Sequence, residues 1–351
     1  MATIPAAQAR AIFTQTFIDV YRERPRVMSF LRSFFPPEEV MTRYLNIEVE
    51  RGSEKVAADI VRGSFGNRNE FGRSTVKTID PPLYREYFDA TMLALYDRLF
   101  GTGGDVDSGY FSAIVSEVAD RIGMLQNKIE RAYELQASQV LQDGIVVLKN
   151  GDAVDYKRKA ASKVDKGSGA YWDQTTVSPF ADLEAGAKFV REQGKSQGDA
   201  YNVIMGSAAW SAFQNNAIVQ KIADIRRYEL ASIMAPQRNS IGGSLQGEIS
   251  IGSYRARIWT YPEVYEDASG NMVPYVNSKY AIMLPESPRF KFGFAAVPQL
   301  ITPENPVPKK GAFVYGDYID ERKATHEYDV QSAGLAIPTA VDQIYTVKVV
   351  A

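Results

Sequence analysis

The chain contains a single histidine, His326, and no cysteine, and these two counts limit the chemistry that it can perform. Serine, cysteine and metal hydrolases mostly need histidine as a base or as a metal ligand, and thiolate chemistry needs cysteine. His326 stands in a polar run just before a predicted strand, which favours a solvated loop histidine. An enzyme with an unrecognised site is therefore the less favoured class.

Two other motifs also lack the pattern that their chemistry needs. Gly194-Lys195-Ser196 resembles the end of a phosphate-binding loop, but Phe189 stands where that loop needs its first glycine, so a helix end is the better interpretation. Four carboxylates offer the oxygen ligands of calcium without the spacing of a calcium loop; they are Asp317, Asp320, Glu321 and Glu327. We therefore expect no catalytic residue, no cofactor and no metal.

The composition is that of a globular protein without a nucleic-acid-binding or membrane signal. At 351 residues the chain is long enough for two domains, and it is 45% hydrophobic and 23% charged. A net charge of −2 gives no support to a nucleic-acid-binding protein. No membrane helix and no signal peptide is expected from the sequence, and the absence of cysteine agrees with the cytosol.

The longest element that the sequence predicts is a helix over residues 108–143. It can begin at a cap formed by Asp107 or Ser108, and it contains no proline before Asp143-Gly144. At ~1.5 Å per residue it would be roughly 54 Å long. Its apolar residues follow steps of three and four and so form one stripe: Phe111, Val115, Val118, Ile122, Leu125, Ile129, Ala132 and Val140. Such a helix should lie across a sheet or another subunit.

Residues 1–46 are predicted to be an arm. A helix is predicted over residues 7–21, and Pro25 should stop it. Six arginines give the arm a charge of +2, which suits contact with acidic surfaces. Four large apolar residues precede a double proline: Phe30, Leu31, Phe34 and Phe35. They either anchor the arm in a groove or form a short helix that packs on its own domain.

Residues 47–80 are predicted to be an extended loop. Alternating residues predict strands over 45–49, 56–60 and 75–79, with a turn at Arg51-Gly52-Ser53. Because an isolated hairpin is marginal in water, the ribbon either projects onto a neighbour or acts as a lid. Its length and extended character favour the projection. The candidate contacts at its tip are Arg62, Phe65, Arg68 and Phe71.

The remaining chain predicts a mixed α+β fold. Helices are expected over residues 88–100, 181–193 and 226–234, and a further helix is expected from Ser207 onward. Asn150-Gly151 predicts a hairpin. Pro298, Pro303, Pro306 and Pro308 predict an extended strap that crosses between domains. The final strand, near residues 344–350, should join a sheet formed by earlier strands.

Several segments, taken in order, resemble the major capsid proteins of tailed bacteriophages, most closely the lambda-like family of major capsid protein E. The segments are the aromatic run at residues 30–36, the hairpin at 149–155, Gly169-Ala170-Tyr171-Trp172 leading into 182–185, and the tail at 331–335 and 342–349. This resemblance implies the Hong Kong ninety-seven type of capsid fold. It places an N-terminal arm at 1–46, an extended loop at 47–80, a peripheral domain at 81–180 and 303–340, and an axial domain at 181–302 and 341–351.

The resemblance also implies a function. Copies of the chain would form hexamers and pentamers of an icosahedral shell that encloses packaged double-stranded DNA without sequence-specific binding and expands from a precursor. Scaffold and portal proteins would be partners, and a decoration protein is a further candidate, with assembly in the host cytoplasm and the mature protein in the virion. An encapsulin-like compartment shares this fold and is the alternative. Gly123 in the long helix would either allow close packing or let the helix bend during expansion.

Overall fold

The structure is a computed structural model that describes residues 27–49, 75–91, 109–148, 152–223, 231–302, 305–320 and 325–351. In the first half of the chain the strands are β1 (Pro37–Glu39), β2 (Leu45–Val49), β3 (Thr75–Ile79), β4 (Tyr84–Thr91), β5 (Ile145–Val147), β6 (Ala153–Asp155) and β7 (Lys163–Asp165). The helices are α1 (Gly109–Gln142), α2 (Pro179–Glu192), α3 (Ser207–Asn215) and α4 (Ala217–Ala223), with short 3-10 turns at Arg32–Phe34, Ala160–Ser162 and Val341–Gln343.

The second half is mostly strands. They are β8 (Ala200–Met205), β9 (Ala231–Arg238), β10 (Ser244–Ile251), β11 (Tyr254–Thr260), β12 (Val264–Glu266), β13 (Met272–Pro274) and β14 (Tyr280–Pro285), followed by β15 (Lys291–Phe294), β16 (Val297–Thr302), β17 (Asn305–Lys309), β18 (Val314–Asp320), β19 (Thr325–Ser332), β20 (Gly334–Ile337) and β21 (Tyr345–Lys348). The chain divides into two compact units. The described part of the smaller unit is mainly residues 84–91, 109–130, 313–320 and 325–332.

The smaller unit is a three-stranded antiparallel sheet covered on one face by the first part of α1. Strand β19 lies in the middle, between β18 and β4. On β4 the half-buried residues alternate with exposed ones, so one face turns to the helix. There Lys128 binds Glu86 at 2.7 Å, and the Arg121 guanidinium lies 5.6 Å from the centre of the Phe88 ring. Contacts between the helix and the sheet therefore include an ion pair and a cation–π contact.

The larger unit is built on a seven-stranded sheet in the order β7-β21-β14-β8-β11-β10-β9. The pairs β8–β11 and β7–β21 are parallel and the others are antiparallel. Helices α2 and α3 contribute to the main buried core, which includes Trp172, Leu183, Phe213 and Tyr345. A Cβ at Gly186 would lie 2.7 Å from the Tyr345 ring, so glycine lets α2 approach the sheet closely.

Several predicted elements are confirmed. The long helix spans Gly109–Gln142, and strands β5 and β6 pair antiparallel around Asn150-Gly151, although the turn itself lies outside the described residues. Helix α2 matches the prediction, and the C-terminal strand β21 joins the large sheet between β14 and β7. The helix predicted from Ser207 divides into α3 and α4, because the Asn216 side chain accepts a bond from the Ile218 N–H at 3.0 Å and starts a new helix.

Two predicted helices are wrong where the structure describes them. Residues 88–91 belong to strand β4, which pairs with β19. Half-buried and exposed residues alternate along this strand with a period of two. Residues 231–234 belong to β9, which pairs with β10. In β4 the pairing with a strand distant in sequence, and in β9 the pairing with the next strand along the chain, outweighs the local helical spacing. The register of β9 shifts near Pro236, as an edge strand with proline allows.

The predicted proline strap and the loop around His326 also need correction. The chain does not run straight through residues 297–309; β16 and β17 form an antiparallel hairpin in which Pro298 pairs with Pro308. Pro298, Pro306 and Pro308 share one alternation of the pair, so their nitrogens can all face the unpaired side of their strands, where no ladder bond is lost. His326 lies within the central strand β19, where it pairs with Ile319 and Ala90.

Candidate functional site

The apolar residues predicted at the end of the arm are largely buried by their own chain. Phe30, Leu31 and Phe35 are 3%, 0% and 2% exposed, and Phe34 is half-buried. The Phe30 ring lies 5.3 Å from Trp259, and Phe35 stacks on Phe290 at 5.0 Å. Of the two alternatives, packing on their own domain describes these side chains. Little of their surface remains for another subunit, and their predicted contact with a neighbour stays a prediction.

The glycine pair before β10 makes room for this segment. A Cβ at Gly243 would lie 2.5 Å from the Phe30 ring, and one at Gly242 would lie 2.8 Å from Met28. Gly242 also has φ +100°, a backbone conformation that favours glycine. The Gly242-Gly243 pair is therefore a sequence signal for a close approach at this point.

Glu134 of α1 holds the backbone of the same segment. Its side chain is fully buried, and its two oxygens accept the N–H groups of Leu31 at 2.8 Å and Arg32 at 3.0 Å. Burial raises the pKa of Glu134 to about 7, although these backbone N–H groups and the Tyr261 hydroxyl favour the charged form. The carboxylate is thus a polar anchor for the arm that titrates near neutral pH.

The Arg32 side chain packs against aromatic rings. Its guanidinium lies over three aromatic rings, with centroid distances of 5.4 Å to Tyr133, 5.1 Å to Phe292 and 5.7 Å to Phe294. Cation–π contacts of this kind suit arginine, whose planar group is weakly hydrated. We call residues 30–35 with Glu134 the arm anchor.

The described ends of the predicted extended loop form the strand pair β2–β3. Leu45 pairs with Ile79 at the base, and both side chains are buried. Arg43 binds Asp80 at 2.8 Å beside them. The predicted strands 45–49 and 75–79 pair with each other. The predicted strand 56–60 and the tip candidates lie outside the described residues; the candidates are Arg62, Phe65, Arg68 and Phe71. The described pair is the base of the predicted loop, and the 25 residues between β2 and β3, 50–74, lie outside the described residues.

Exposed apolar side chains surround this base. Met41 is 61% exposed, Tyr44 46% and Leu83 52%. Singly exposed apolar residues are common on protein surfaces, but three of them within the segments that flank one strand pair favour a contact surface.

The second part of α1 is bound into the larger unit by buried amide groups. Gln136 donates to the carbonyl of Gly334 at 3.3 Å and accepts from the N–H of Ala336 at 3.2 Å. Gln142 donates to the carbonyl of Tyr275 at 2.9 Å and accepts from the N–H of Asn277 at 2.8 Å. As expected, the helix lies across strands near the end of the chain.

Gly123 lies in the continuous helix α1 and is half-buried. A Cβ at this position would meet no described atom within 4 Å. Close packing within the described subunit therefore does not explain the glycine. The alternative, that glycine allows the helix to bend, stays a prediction.

Arg158 joins the end of α1 to the C-terminal strand, and the sequence patterns gave no sign of this role. Its guanidinium donates to the carbonyls of Leu141 at 3.1 Å, Gln142 at 3.0 Å and Ile344 at 3.2 Å, and to the Thr346 hydroxyl at 3.1 Å. Burial lowers its pKa to about 10, so it stays charged at neutral pH. A cation near the last carbonyls of a helix is favourable.

Gly144 and Arg158 fit together at this point. A Cβ at Gly144 would lie 2.3 Å from the Arg158 side chain, and Gly144 has φ +73°. The glycine that ends the helix was visible in the sequence, but its arginine partner, 14 residues later, was not.

The comparison with known protein families identifies the family of this chain. Residues 13–349 match the family model described as phage major capsid protein E. The chain belongs to this family. The resemblance seen in the sequence is thereby confirmed, and the family gives this capsid protein a structural role as a component of the virion, in a shell made of copies of itself. No curated protein sequence matches the chain.

Several solved structures are similar to this chain. A crystal structure described as a prophage capsid protein of E. coli CFT073 has a TM-score of 0.61 and 14% identity, with all of both chains covered. The capsid of an empty GTA particle has a TM-score of 0.48 and 14% identity, covering 94% of this chain and 92% of that one. An encapsulin complex of Synechococcus elongatus PCC 7942 has a TM-score of 0.46 and 12% identity, covering 100% and 96%.

At this low identity the likeness to the prophage protein shows the fold alone. It confirms the α+β capsid fold of the Hong Kong ninety-seven type that the resemblance implied. Among the described residues no helix is long and apolar enough to cross a membrane.

Proposed function

We propose that copies of this capsid protein form hexamers and pentamers that close into an icosahedral shell around packaged double-stranded DNA. The observation that carries this proposal is the family match over residues 13–349. A closed shell needs heterologous contacts that close on themselves. The segment between β2 and β3 and the arm before residue 27 are the segments that we assign to contacts with neighbours. The net charge of −2 suits a wall that binds the genome weakly.

The four predicted segments have separate roles in this proposal. The arm at 1–46 and the extended loop at 47–80 join subunits. The peripheral domain at 81–180 and 303–340 contains α1, and the axial domain at 181–302 and 341–351 surrounds the capsomer centre. The shell assembles in the host cytoplasm as a compact precursor, with scaffold and portal proteins as partners and a decoration protein as a further candidate, and then expands.

Electron microscopy of the purified full-length protein tests the proposal. We expect spherical shells with hexameric and pentameric capsomers, and in infected or induced cells we expect nuclease-protected double-stranded DNA inside them. Soluble monomers under all assembly conditions would contradict the proposal. Shells that enclose a specific enzyme and no DNA would instead support the encapsulin-like compartment, which the family match does not favour.

The non-enzymatic part of the proposal has its own test at His326, the one histidine in the sequence. His326→Ala should leave particle yield and particle shape unchanged. A lost step in particle production, with subunit folding intact by circular dichroism, would indicate chemistry at this residue.

A further inference from the structure

The face of the smaller unit's sheet that points away from α1 is acidic. It presents one arginine, three carboxylates and two tyrosines, which we call the acidic face: Arg85, Tyr87, Asp89, Tyr318, Glu327 and Asp329. Cross-strand pairing places these side chains on the same side, because directly opposed residues of antiparallel strands share a face. The three carboxylates of this face outnumber its single arginine.

Asp329 is the centre of this face and is incompletely satisfied. Its side chain is 0% exposed, and its Oδ2 accepts from Arg85 at 2.6 Å and from Gln331 at 2.7 Å. Its other oxygen, Oδ1, is buried and has no hydrogen-bond partner in the described part of the chain. An unpaired buried acceptor is costly, and a charged one more so. Oδ1 therefore lacks a donor.

This free oxygen lies towards β18. It is 2.3 Å from the position that a Cβ of Gly316 would take, so it occupies the space above the glycine. The Tyr318 ring lies 2.9 Å from the same position and covers it. Tyr318 is half-buried on an edge strand, so a donor that moves this ring can reach Oδ1.

A second observation also indicates a missing cation. Asp89 lies directly opposite Glu327 in the β4–β19 pair. Like charges directly opposite each other destabilise a sheet. Arg85 binds Glu327 at 2.9 Å as well as Asp329, so one guanidinium serves two carboxylates. Asp89 has no cationic partner among the described side chains.

We propose that the acidic face binds the arginines of the segment Arg22-Glu23-Arg24-Pro25-Arg26 from the arm of a second copy of this chain. The inference rests on the proposed function, since it needs subunits that assemble. The segment carries a net charge of +2 against a face with an excess of carboxylates. Charge complementarity of this kind sets register and partner choice.

The spacing of the segment matches the face. Arginine recurs at every second residue, and proline at position 25 restricts Arg24 to extended backbone. In an extended chain, alternate side chains lie on one side about 6.7 Å apart. Asp329 and Glu327 are also two residues apart on one strand, with Asp89 alongside. Two guanidiniums can therefore meet Asp329 and Glu327 in one register, and Asp89, directly opposite Glu327, offers a carboxylate beside the second.

The tyrosines suit the same ligand. Arg85 already lies 5.7 Å from the centre of the Tyr318 ring, and this geometry is a cation–π contact. Tyr87, 57% exposed and opposite Asp329 across the strands, offers a second ring to an incoming arginine.

Cross-linking between copies tests the proposal directly. Because the sequence has no cysteine, Arg24→Cys and Tyr87→Cys each introduce the sole thiol of their chain. The two variants are co-assembled and treated with a short bis-maleimide. We expect a product of twice the 39.0 kDa subunit mass from the mixture. A mixture of Arg24→Cys with Asp173→Cys, an exposed site on the larger unit, is the control and should give none.

A charge exchange tests the same contact without a cross-linker. Arg24→Glu and Asp89→Lys should each raise the protein concentration needed for assembly about tenfold, the loss of one charge-assisted hydrogen bond. Together they should restore most of that loss, and Asp173→Lys should have no effect. Asp89 is exposed, so its replacement leaves the fold intact.

The outcomes separate this inference from the proposed function. Wild-type shells in the microscope without the mixed cross-link would overturn the inference alone. A cross-link that forms only within one chain carrying both cysteines would also overturn it, because the occupant would then be the subunit's own arm. If no particles form under any condition, the proposed function fails as well.

Discussion

Glu134 Oε1 accepts the N–H of Leu31 at 2.8 Å, across 103 residues of sequence. The bond joins the middle of the longest helix to the end of the arm inside a fully buried environment. A buried carboxylate is costly unless it is hydrogen-bonded. The contact of the arm with α1 therefore depends on the protonation state of Glu134. Assembly that depends on the arm should therefore depend on pH.

The pH dependence of stability follows from the raised pKa of Glu134. The pKa is about 7 in the folded chain and near 4.5 when the group is unperturbed. The folded state therefore holds the proton more tightly, so this group's contribution to stability is complete below about pH 4.5 and decreases as the pH rises to about 7. The expected decrease is roughly 3 kcal/mol.

Urea unfolding at a series of pH values measures this contribution. The free energy of unfolding of Glu134→Gln should show a smaller decrease between pH 4.5 and 7 than that of the wild type. It should also be lower at acid pH, because the amide nitrogen faces a backbone N–H and one acceptor is lost. Glu192→Gln, at the exposed end of α2, is the control and should keep the wild-type slope. Equal slopes for wild type and Glu134→Gln would contradict the assignment.

Arg158 should be among the residues most sensitive to substitution. Arg158→Ala removes a buried donor from the carbonyls of Gln142, Ser162 and Ile344, and it should lower the free energy of unfolding by about 3–5 kcal/mol. Arg158→Lys keeps the charge but not the planar group that reaches several acceptors, so it should recover only part of the loss. Arg255→Ala, at an exposed site on β11, should change the value by less than about 0.5 kcal/mol.

Gly123→Ala should separate helix stability from assembly. Since a Cβ there meets nothing within 4 Å, the substitution should stabilise the helix by about 1 kcal/mol in thermal unfolding. If the helix bends in the precursor shell, the same variant should assemble slowly or into aberrant particles, as light scattering and microscopy would record. Normal precursor shells at the wild-type rate would exclude the bending role.

The extended loop should be needed for shells and not for folding. Deletion of residues 63–73, with a short glycine–serine linker in their place, should leave a folded subunit by circular dichroism, because the pair β2–β3 and the buried Leu45 and Ile79 are retained. Stable shells should be lost in sedimentation. Shells of wild-type yield would show that the tip candidates Phe65, Arg68 and Phe71 make no essential contact.

Local patterns in the sequence determined the long helix, the hairpin at Asn150-Gly151, helix α2 and the identity of the family. These features depend on residues near each other in the chain, where helical spacing, turn residues and the order of segments carry the information. The composition by itself, with no cysteine and a single histidine, also argued against most catalytic chemistry.

Tertiary structure alone decided that the residues of β4 form a strand, because they have helical spacing but pair with β19, far away in the sequence. The residues of β9 also have helical spacing and pair instead with the neighbouring strand β10. It also decided the partners of the buried charged groups. Glu134 meets a backbone 103 residues away, Arg158 reaches Ile344, and Asp329 meets Arg85 across 244 residues. The free energy of burying a charge depends on donors that the fold brings together, and no local window of sequence contains them.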